Sequence, residues 1–317
     1  MRLLYLYRKQ LTITYSIFNT HPAYDLKLSS ISPKPIIMIR NFFGIAVALV
    51  STLLLLNSCE QETIISPGND PNFTIVAHTD NGFSKFNRKV EVFSIPIYAV
   101  EAVTDERLLH AANIMAQYLD NDEDGAIDNQ AVHDAMIANN AYMVMWKKQS
   151  DLNKVNPSGN AIGQDLGNDE TIPEWHANGH TGQFDAAIEE VFHIITHAGY
   201  EQAYPTIFGT NKGTAMSNAM DVARGGAFDS PPNNYPAGAW YTYNDQTCDY
   251  QCQAGEYIYW VMTSMLGAQE NRQQEIADEW DLYTRALVES TDPTAFALLS
   301  DPQYIFPTIL PDGTYKR

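Results

Sequence analysis

The stretch of residues 189–197 constrains the fold of this chain most, because it combines helical periodicity with four titratable side chains. An α-helix turns by about 100° per residue, so Glu189, His193 and His197 lie within roughly 80° of one another. Glu190 is expected on the same side, which gives this face two imidazoles and two carboxylates. Such groups need partners inside a protein, and one divalent metal ion would satisfy several of them.

The other residues of this helix are mostly apolar, which predicts that the helix is buried. The apolar positions are Ile188, Val191, Phe192, Ile194 and Ile195. Gly199 stands where a capping glycine would end the helix. We therefore expect a central, buried helix that carries a metal site.

The two histidines have the i, i+4 spacing of the H-E-x-x-H zinc hydrolases, so this helix resembles the zincin class. In that class the catalytic glutamate follows the first histidine, whereas this chain has Ile194 at that position. The resemblance implies that His193 and His197 bind Zn²⁺ or another divalent transition metal. Glu190 or Glu189 is then expected to act as the catalytic base.

A third ligand has to come from another part of the chain. Residues 189–197 span about 12 Å of helix rise, which is too far for one tetrahedral ion. In the gluzincin group a glutamate from a later helix completes the metal site. Glu256 fits that role, because it is the one charged residue in an apolar helix expected to begin at Gly255. A carboxylate stabilised by the helix dipole is the alternative interpretation of Glu256.

Two further interpretations of the histidine helix stay open. Glu190 and His193 form an E-x-x-H pair, which is similar to the pairs found in di-iron helical bundles, although the chain has no second such pair. The simplest alternative is a buried helix whose histidines form hydrogen bonds with their neighbours.

Residues 120–131 carry a second strong signal for metal binding. Its spaced acids are Asp120, Asp122, Asp124 and Asp128. Gly125 permits the turn and Ile127 supplies an apolar anchor, so the segment resembles an EF-hand calcium loop. The final residue is Ala131 where EF-hands have a bidentate glutamate, and Asp134 is the nearest acid downstream. The resemblance implies bound Ca²⁺, in a structural role because the hand has no paired partner.

The N-terminal part of the chain predicts export and lipidation. Residues 42–56 form an apolar run that is shorter than the roughly 20 residues of a membrane span. Met38, Arg40 and the Leu-Asn-Ser-Cys ending make residues 38–58 a signal peptide that resembles a bacterial lipoprotein signal. The expected organisation is an upstream extension from a mis-assigned start (1–37), the signal peptide (38–58), a lipidated tether (59–72) and one globular domain (73–317).

The lipoprotein resemblance implies that Cys59 carries a lipid that anchors the chain to a membrane of the bacterial cell envelope, facing the periplasm or the cell surface. Residues 60–317 contain 13 basic and 37 acidic residues, a net charge near −24. Nucleic acid is a poor partner for such a surface. In an oxidising envelope, Cys248 and Cys252 are expected to form a disulfide.

The pattern along the chain predicts an α+β fold that is predominantly helical, with a small N-terminal sheet. Strands are expected in residues 73–78, 89–100 and 141–146, and Pro96 is expected to make the second an edge or bent strand. Helices are expected after Thr104, over residues 129–139 and 214–224, and in a long last helix over residues 269–290. The polar segment 149–181 is expected to be a loop in which His176 and His180 could contact a metal or substrate.

Two functions fit these features. The first is a metal-dependent, peptidase-like hydrolase that binds calcium and a zinc-like ion. The second is a non-catalytic lipoprotein that calcium stabilises, with a structural or vestigial metal site at the histidines. Metal analysis, and convergence of His193, His197 and Glu256, would separate these hypotheses.

Overall fold

The computed structural model describes residues 64–66 and 70–317. The upstream extension, the signal peptide and the lipidated Cys59 lie outside the described residues. Among the described helices, none is both long and apolar enough to cross a membrane.

Six strands form one sheet whose spatial order follows the chain. They are β1 (Ile64–Ser66), β2 (Ile75–Ala77), β3 (Arg88–Val92), β4 (Ile95–Ala99), β5 (Tyr142–Trp146) and β6 (Gly163–Gly167). β1 to β4 pair antiparallel, whereas β5 pairs parallel with both β4 and β6. Because β1 pairs with β2, the sheet begins inside the segment predicted to be a tether.

The run from Lys89 to Val100 forms a hairpin rather than the single strand expected from the sequence. Phe93 and Ser94 both have positive φ angles, 47° and 69°, and turn the chain between β3 and β4. The run is therefore bent, as one of the two expected alternatives, whereas the other alternative, an edge strand, is wrong because β3 and β4 are interior strands. Pro96 is tolerated there because pairing of β4 with β5 begins one residue later, at Ile97.

Helices dominate the rest of the chain, so the α+β class with a small N-terminal sheet is confirmed. They are α1 (Asp105–Leu119), α2 (Gln130–Ala138), α3 (Glu174–Ala177), α4 (Ala187–Ile195), α5 (Glu201–Ala203), α6 (Ala215–Ala223), α7 (Tyr250–Met265), α8 (Gln273–Ile276), α9 (Arg285–Thr291) and α10 (Pro293–Ser300). Short 3₁₀ turns span Gln149–Lys154 and Asn168–Glu170. The side chain of Thr104 caps α1, as the sequence predicts, and those of Asn129 and Thr214 cap α2 and α6.

Two predictions of secondary structure were wrong, one in the C-terminal half of the chain and one in the long polar segment. Residues 269–290 are not one helix but a turn, the short α8, an irregular segment around the buried Trp280, and most of α9. The polar segment 149–181 contains β6, which completes the sheet. Gly163 allows this pairing, because a Cβ there would lie 2.1 Å from the ring of Tyr142.

α4 is the central helix that the sequence predicts, and its apolar residues are buried as expected. It packs against α1, β6 and α7. The helix does not end at Gly199, because a wider turn with π-helical geometry (Thr196–Tyr200) continues it into α5. Gly199 serves close packing instead, since a Cβ there would lie 2.6 Å from Cγ1 of Val132 on α2.

Candidate metal centre

α4 and α7 bring three metal-ligating side chains together. Glu189, His193 and Glu256 each offer one ligand atom, and these atoms lie within 4.8 Å of one another. Nε2 of His193 is 3.5 Å from Oε2 of Glu256 and 4.0 Å from Oε1 of Glu189. Glu189 and His193 are one helical turn apart on α4, and Glu256 reaches them from α7. We call these three residues the α4–α7 centre.

His193 is the most informative member of the α4–α7 centre, because it is buried and its polar atoms are not satisfied. Only 4% of the residue is exposed, and neither Nδ1 nor Nε2 has a hydrogen-bond partner. Its contact with Glu256 is an ion-pair contact without hydrogen-bond geometry. Buried polar groups are usually hydrogen-bonded, so an unsatisfied imidazole between two carboxylates fits a site for a cation.

The electrostatics of the centre follow from burial and from the crowding of its charges. Burial and the charge of Glu256 raise the pKa of Glu189 to about 7. Burial lowers the pKa of His193, but the charges of Glu256 and Glu189 outweigh it, so this pKa lies above its ordinary value. Both shifts favour the protonated forms, so a cation has to compete with protons for this centre.

His197 does not belong to the α4–α7 centre, although the sequence predicts it as a ligand together with His193 and Glu256. Its ring stacks on that of His193, with centroids 5.5 Å apart and planes inclined by 9°. Nε2 of His197 lies 2.6 Å from where a Cβ of Gly255 would be, so the ring packs directly against the α7 backbone. Burial and the neighbouring His193 lower the pKa of His197 to about 3.

Glu190 faces β6 rather than the α4–α7 centre. It is buried and accepts a hydrogen bond from the side-chain amide of Gln164. Burial and the charges of Glu189, Asp165 and Glu170 raise its pKa well above the ordinary value. Glu190 is therefore not among the residues whose ligand atoms converge with that of His193, because its carboxylate is bound by Gln164 on β6. The E-x-x-H pair of Glu190 and His193 likewise does not converge.

Glu256 lies in the second turn of α7, not at the helix N-terminus. α7 begins at Tyr250, capped by Asp249, five residues before the expected start at Gly255. The first-turn dipole therefore does not explain the carboxylate. Burial raises the pKa of the Tyr243 hydroxyl, and the charge of Glu256 raises it further.

Glu279 is a further acidic residue that interacts electrostatically with the α4–α7 centre and that the sequence does not single out. Burial, followed by the charges of Glu256, Asp278 and Glu189, raises its pKa to about 7. It lies in the irregular segment that was predicted to be helical. No local pattern marks it, because only the packing of that segment brings it near α7.

The predicted calcium loop folds around Asp120. This carboxylate accepts hydrogen bonds from the backbone N–H groups of Asp124 and Gly125, at 3.1 and 2.8 Å, and from the hydroxyl of Tyr315. Asp120, Asp122 and Asp124 offer oxygen atoms within 4.8 Å of one another. Gly125 has a φ of +89°, as the turn requires.

The second half of the loop departs from the expected ligand set. Asp128 is outside that group of three and accepts a hydrogen bond from the backbone N–H of Asn121 at 2.7 Å. Burial raises the pKa of Asp128, and the charges of the other loop aspartates raise it further. Ala131 is exposed on α2, and Asp134 accepts a hydrogen bond from Gln130 there. Ile127 packs against the core as predicted.

The two loop histidines lie apart from the α4–α7 centre. Nε2 of His176 is 2.9 Å from Oδ2 of Asp185. The ring of His180 stacks on Trp175, with centroids 4.4 Å apart. The expected disulfide between Cys248 and Cys252 is confirmed at the start of α7.

Comparison with protein-family models, curated proteins and solved structures finds no match to this chain. The EF-hand and zincin resemblances therefore stay predictions from the sequence. Function has to be inferred from the side chains that the fold brings together.

Proposed function

We propose that this protein is a calcium-binding lipoprotein of the cell envelope and a metal-dependent, peptidase-like hydrolase. Residues 73–317 would form a single domain in which α4 is the metal-site helix. The observation that carries this proposal is the buried, unsatisfied imidazole of His193 between the carboxylates of Glu189 and Glu256.

The donor set suits a divalent transition metal such as Zn²⁺. Glu189, His193 and Glu256 supply two carboxylates and one imidazole, which are common zinc donors. Three protein ligands leave a fourth position for water, and the bound metal would lower the pKa of that water towards 7. The side chains of Glu189 and Glu256 are 21% and 12% exposed, so solvent reaches the centre.

Glu279 is the best candidate for the general base. A pKa of about 7 suits a residue that takes and returns a proton at neutral pH. Glu189 would act as a ligand, and the carboxylate of Glu190 is held by Gln164 on β6. The base would thus come from the segment after α8, unlike the zincin arrangement in which it lies on the histidine helix.

The calcium loop would stabilise the body rather than take part in hydrolysis. Oxygen donors at Asp120, Asp122 and Asp124 suit Ca²⁺. Tyr315 donates to Asp120, and the amide of Asn121 bonds to the backbone of Ile309. A calcium ion in this loop would reinforce the attachment of the C-terminal segment to α1.

The cell-envelope location depends on the signal and Cys59, which lie outside the described residues. Metabolic labelling with a fatty acid should tag the protein, and Cys59→Ser should abolish the tag. A label that persists in the Cys59→Ser variant would contradict the lipid anchor.

The hydrolase proposal is tested by separating metal binding from activity. The wild-type protein is loaded with zinc and screened against peptide and ester libraries, beside the Glu279→Gln, His193→Ala and Glu190→Gln variants. Glu279→Gln should keep the metal and lose hydrolysis, whereas His193→Ala should lose both. Glu190→Gln is the matched control and should keep both.

One observation favours the non-catalytic alternative. Ile194, which occupies the place of the zincin catalytic glutamate, is fully buried in the core. If zinc binds but neither the wild-type protein nor any variant hydrolyses the libraries, a calcium-stabilised lipoprotein with a structural or vestigial metal site is the better description.

A further inference from the structure

A second set of potential metal ligands comes together near the start of α4. His110 on α1, His176 on α3 and Asp185, which precedes α4, each offer one ligand atom within 4.8 Å of the others. Nε2 of His110 is 2.7 Å and Nε2 of His176 is 2.9 Å from the same atom, Oδ2 of Asp185. We call these residues the His–His–Asp cluster.

The carboxylate of this cluster is fixed in position by the backbone. Asp185 is fully buried, and its Oδ1 accepts hydrogen bonds from the N–H groups of Ile172 at 2.8 Å and Ala187 at 3.2 Å. These bonds leave Oδ2 directed at the two imidazoles. Hydrogen-bonded carboxylates held in this way are typical of metal sites, where outer partners orient each ligand.

The two imidazoles are also held by packing. The rings of His110 and His176 have centroids 5.4 Å apart and planes inclined by 55°, so they approach the carboxylate from different directions. Nδ1 of His110 lies 2.2 Å from where a Cβ of Gly313 would be, so the C-terminal segment packs directly on this ring. Nδ1 of His176 has no hydrogen-bond partner, so its Nε2 makes the ring's only hydrogen bond.

We propose that His110, His176 and Asp185 bind a second divalent transition metal ion, separate from the α4–α7 centre. Two imidazoles and one carboxylate are the ligands of many zinc sites and of non-haem Fe(II) sites. The ion would join α1, the α3 segment and the start of α4. The side chains of His110, His176 and Asp185 are only 6%, 7% and 0% exposed, so the bound ion would be buried.

The alternative is an ion triad, in which both imidazoles serve only to satisfy the buried carboxylate. The two arrangements differ in what they require. A triad needs protons on the Nε2 atoms and no metal, whereas a metal site needs both Nε2 lone pairs free for the ion. Binding of zinc that depends on His176 therefore separates them.

The experiment is a zinc stoichiometry on the purified protein. The protein is stripped with a chelator, kept in excess Ca²⁺ so that calcium occupies the acidic loop, loaded with Zn²⁺ alone, desalted and analysed for bound zinc per chain. His176→Ala should bind one zinc fewer than wild type. His133→Ala is the matched control, because His133 on α2 bonds to the carbonyl of Phe93 and belongs to neither site.

The result also distinguishes this site from the α4–α7 centre. If both exist, His176→Ala and His193→Ala each lose one zinc, and the double variant loses two. If only the His–His–Asp cluster binds, His193→Ala matches wild type while His176→Ala loses its zinc. Equal zinc in His176→Ala, His133→Ala and wild type would overturn the proposal.

A second variant excludes a loss of zinc through misfolding. His176→Gln keeps a polar group that can still bond to Asp185 but is a poor ligand for zinc. It should retain the near-UV circular dichroism of wild type, lose one zinc and lose the corresponding rise in melting temperature on zinc addition. A folded His176→Gln protein that keeps the wild-type zinc content would refute the site.

Discussion

The imidazole Nε2 of His193 lies 3.5 Å from the carboxylate Oε2 of Glu256, across the contact between α4 and α7. The residue before this glutamate, Gly255, lets α7 approach the ring of His197, which stacks on that of His193. The absence of a side chain at Gly255 therefore allows both the close approach of α7 and the contact between Glu256 and His193.

The close approach predicts that Gly255→Ala destabilises the protein. The added Cβ would lie 2.6 Å from Nε2 of His197, so the ring or the helix has to move. Overpacking of this kind costs about 1–3 kcal/mol in unfolding free energy, measured by urea denaturation. In a His197→Ala background the same substitution should cost much less. Equal costs in the two backgrounds would show that the His197 ring does not restrict α7.

Glu190 predicts a particular dependence of stability on pH. Burial and neighbouring acids raise its pKa well above the ordinary value, about 4.3, that it has in the unfolded chain. Between these two pKa values the unfolded state has lost the proton and the folded state has kept it. Its contribution to stability is therefore fully present below about pH 4 and is lost as the pH rises, by up to about 1.4 kcal/mol per pH unit.

Glu190→Gln should remove this loss, because glutamine does not ionise and can still bond to Gln164. The variant should be more stable than wild type at pH 7 and indistinguishable from it below about pH 4, in denaturation curves recorded across that range. Glu289→Gln, at an exposed position, is the control and should follow wild type. A parallel pH profile for wild type and Glu190→Gln would contradict a raised pKa.

The acidic loop predicts a thermal response to calcium. Adding Ca²⁺ to the chelated protein should raise its melting temperature, because binding to the folded state stabilises it. Asp120→Ala and Asp124→Ala should abolish the rise, whereas Asp134→Ala, an acid outside the loop, should keep it. A wild-type melting temperature that chelator and calcium leave unchanged would refute the calcium site.

The disulfide predicts a modest contribution to stability. Cys248 and Cys252 close a loop at the start of α7, and loop-closure entropy gives about 2 kcal/mol for so short a loop. The Cys248→Ser/Cys252→Ser double variant should lose about that amount in denaturation experiments. Reducing agent should lower the stability of wild type and leave that of the double variant unchanged.

Local patterns account for most of the elements around the candidate site. The periodicity of α4, the cap of α1 at Thr104 and the glycine turn at Gly125 depend on neighbours in sequence, and each was predicted correctly. Glu256 was found for the same reason, as a lone charge in an apolar run. These signals need no knowledge of how the helices pack.

The remainder depends on packing that no short window contains. Glu189 rather than His197 joins His193, because the His197 ring packs against the α7 backbone at Gly255. Glu190 turns away because β6, which was expected to be a loop, supplies Gln164. Asp185 pairs with a histidine on α1 that is 75 residues away in sequence. Asp185 lies four residues before Glu189, and this helical spacing was the one sequence signal that could have drawn attention to Asp185.

Proton release should accompany metal binding at the α4–α7 centre. The carboxylates of Glu256 and Glu189 outweigh burial and keep the pKa of His193 above its ordinary value, but only the neutral imidazole binds a metal. Zinc affinity should therefore fall as the pH is lowered from about 8 to 6. Titration calorimetry in buffers of different ionisation enthalpy measures the protons released, and His193→Ala should release fewer. Equal proton release by both proteins would contradict this account of the centre.

The most direct test of the α4–α7 centre is the zinc content of the His193→Ala variant. The protein is saturated with Ca²⁺, loaded with Zn²⁺, desalted and compared with wild type and with Glu190→Gln by elemental analysis. We predict that His193→Ala binds one zinc fewer per chain, whereas Glu190→Gln binds as much as wild type. A folded His193→Ala protein with the zinc content of wild type would contradict the proposal that His193, Glu189 and Glu256 form a metal site.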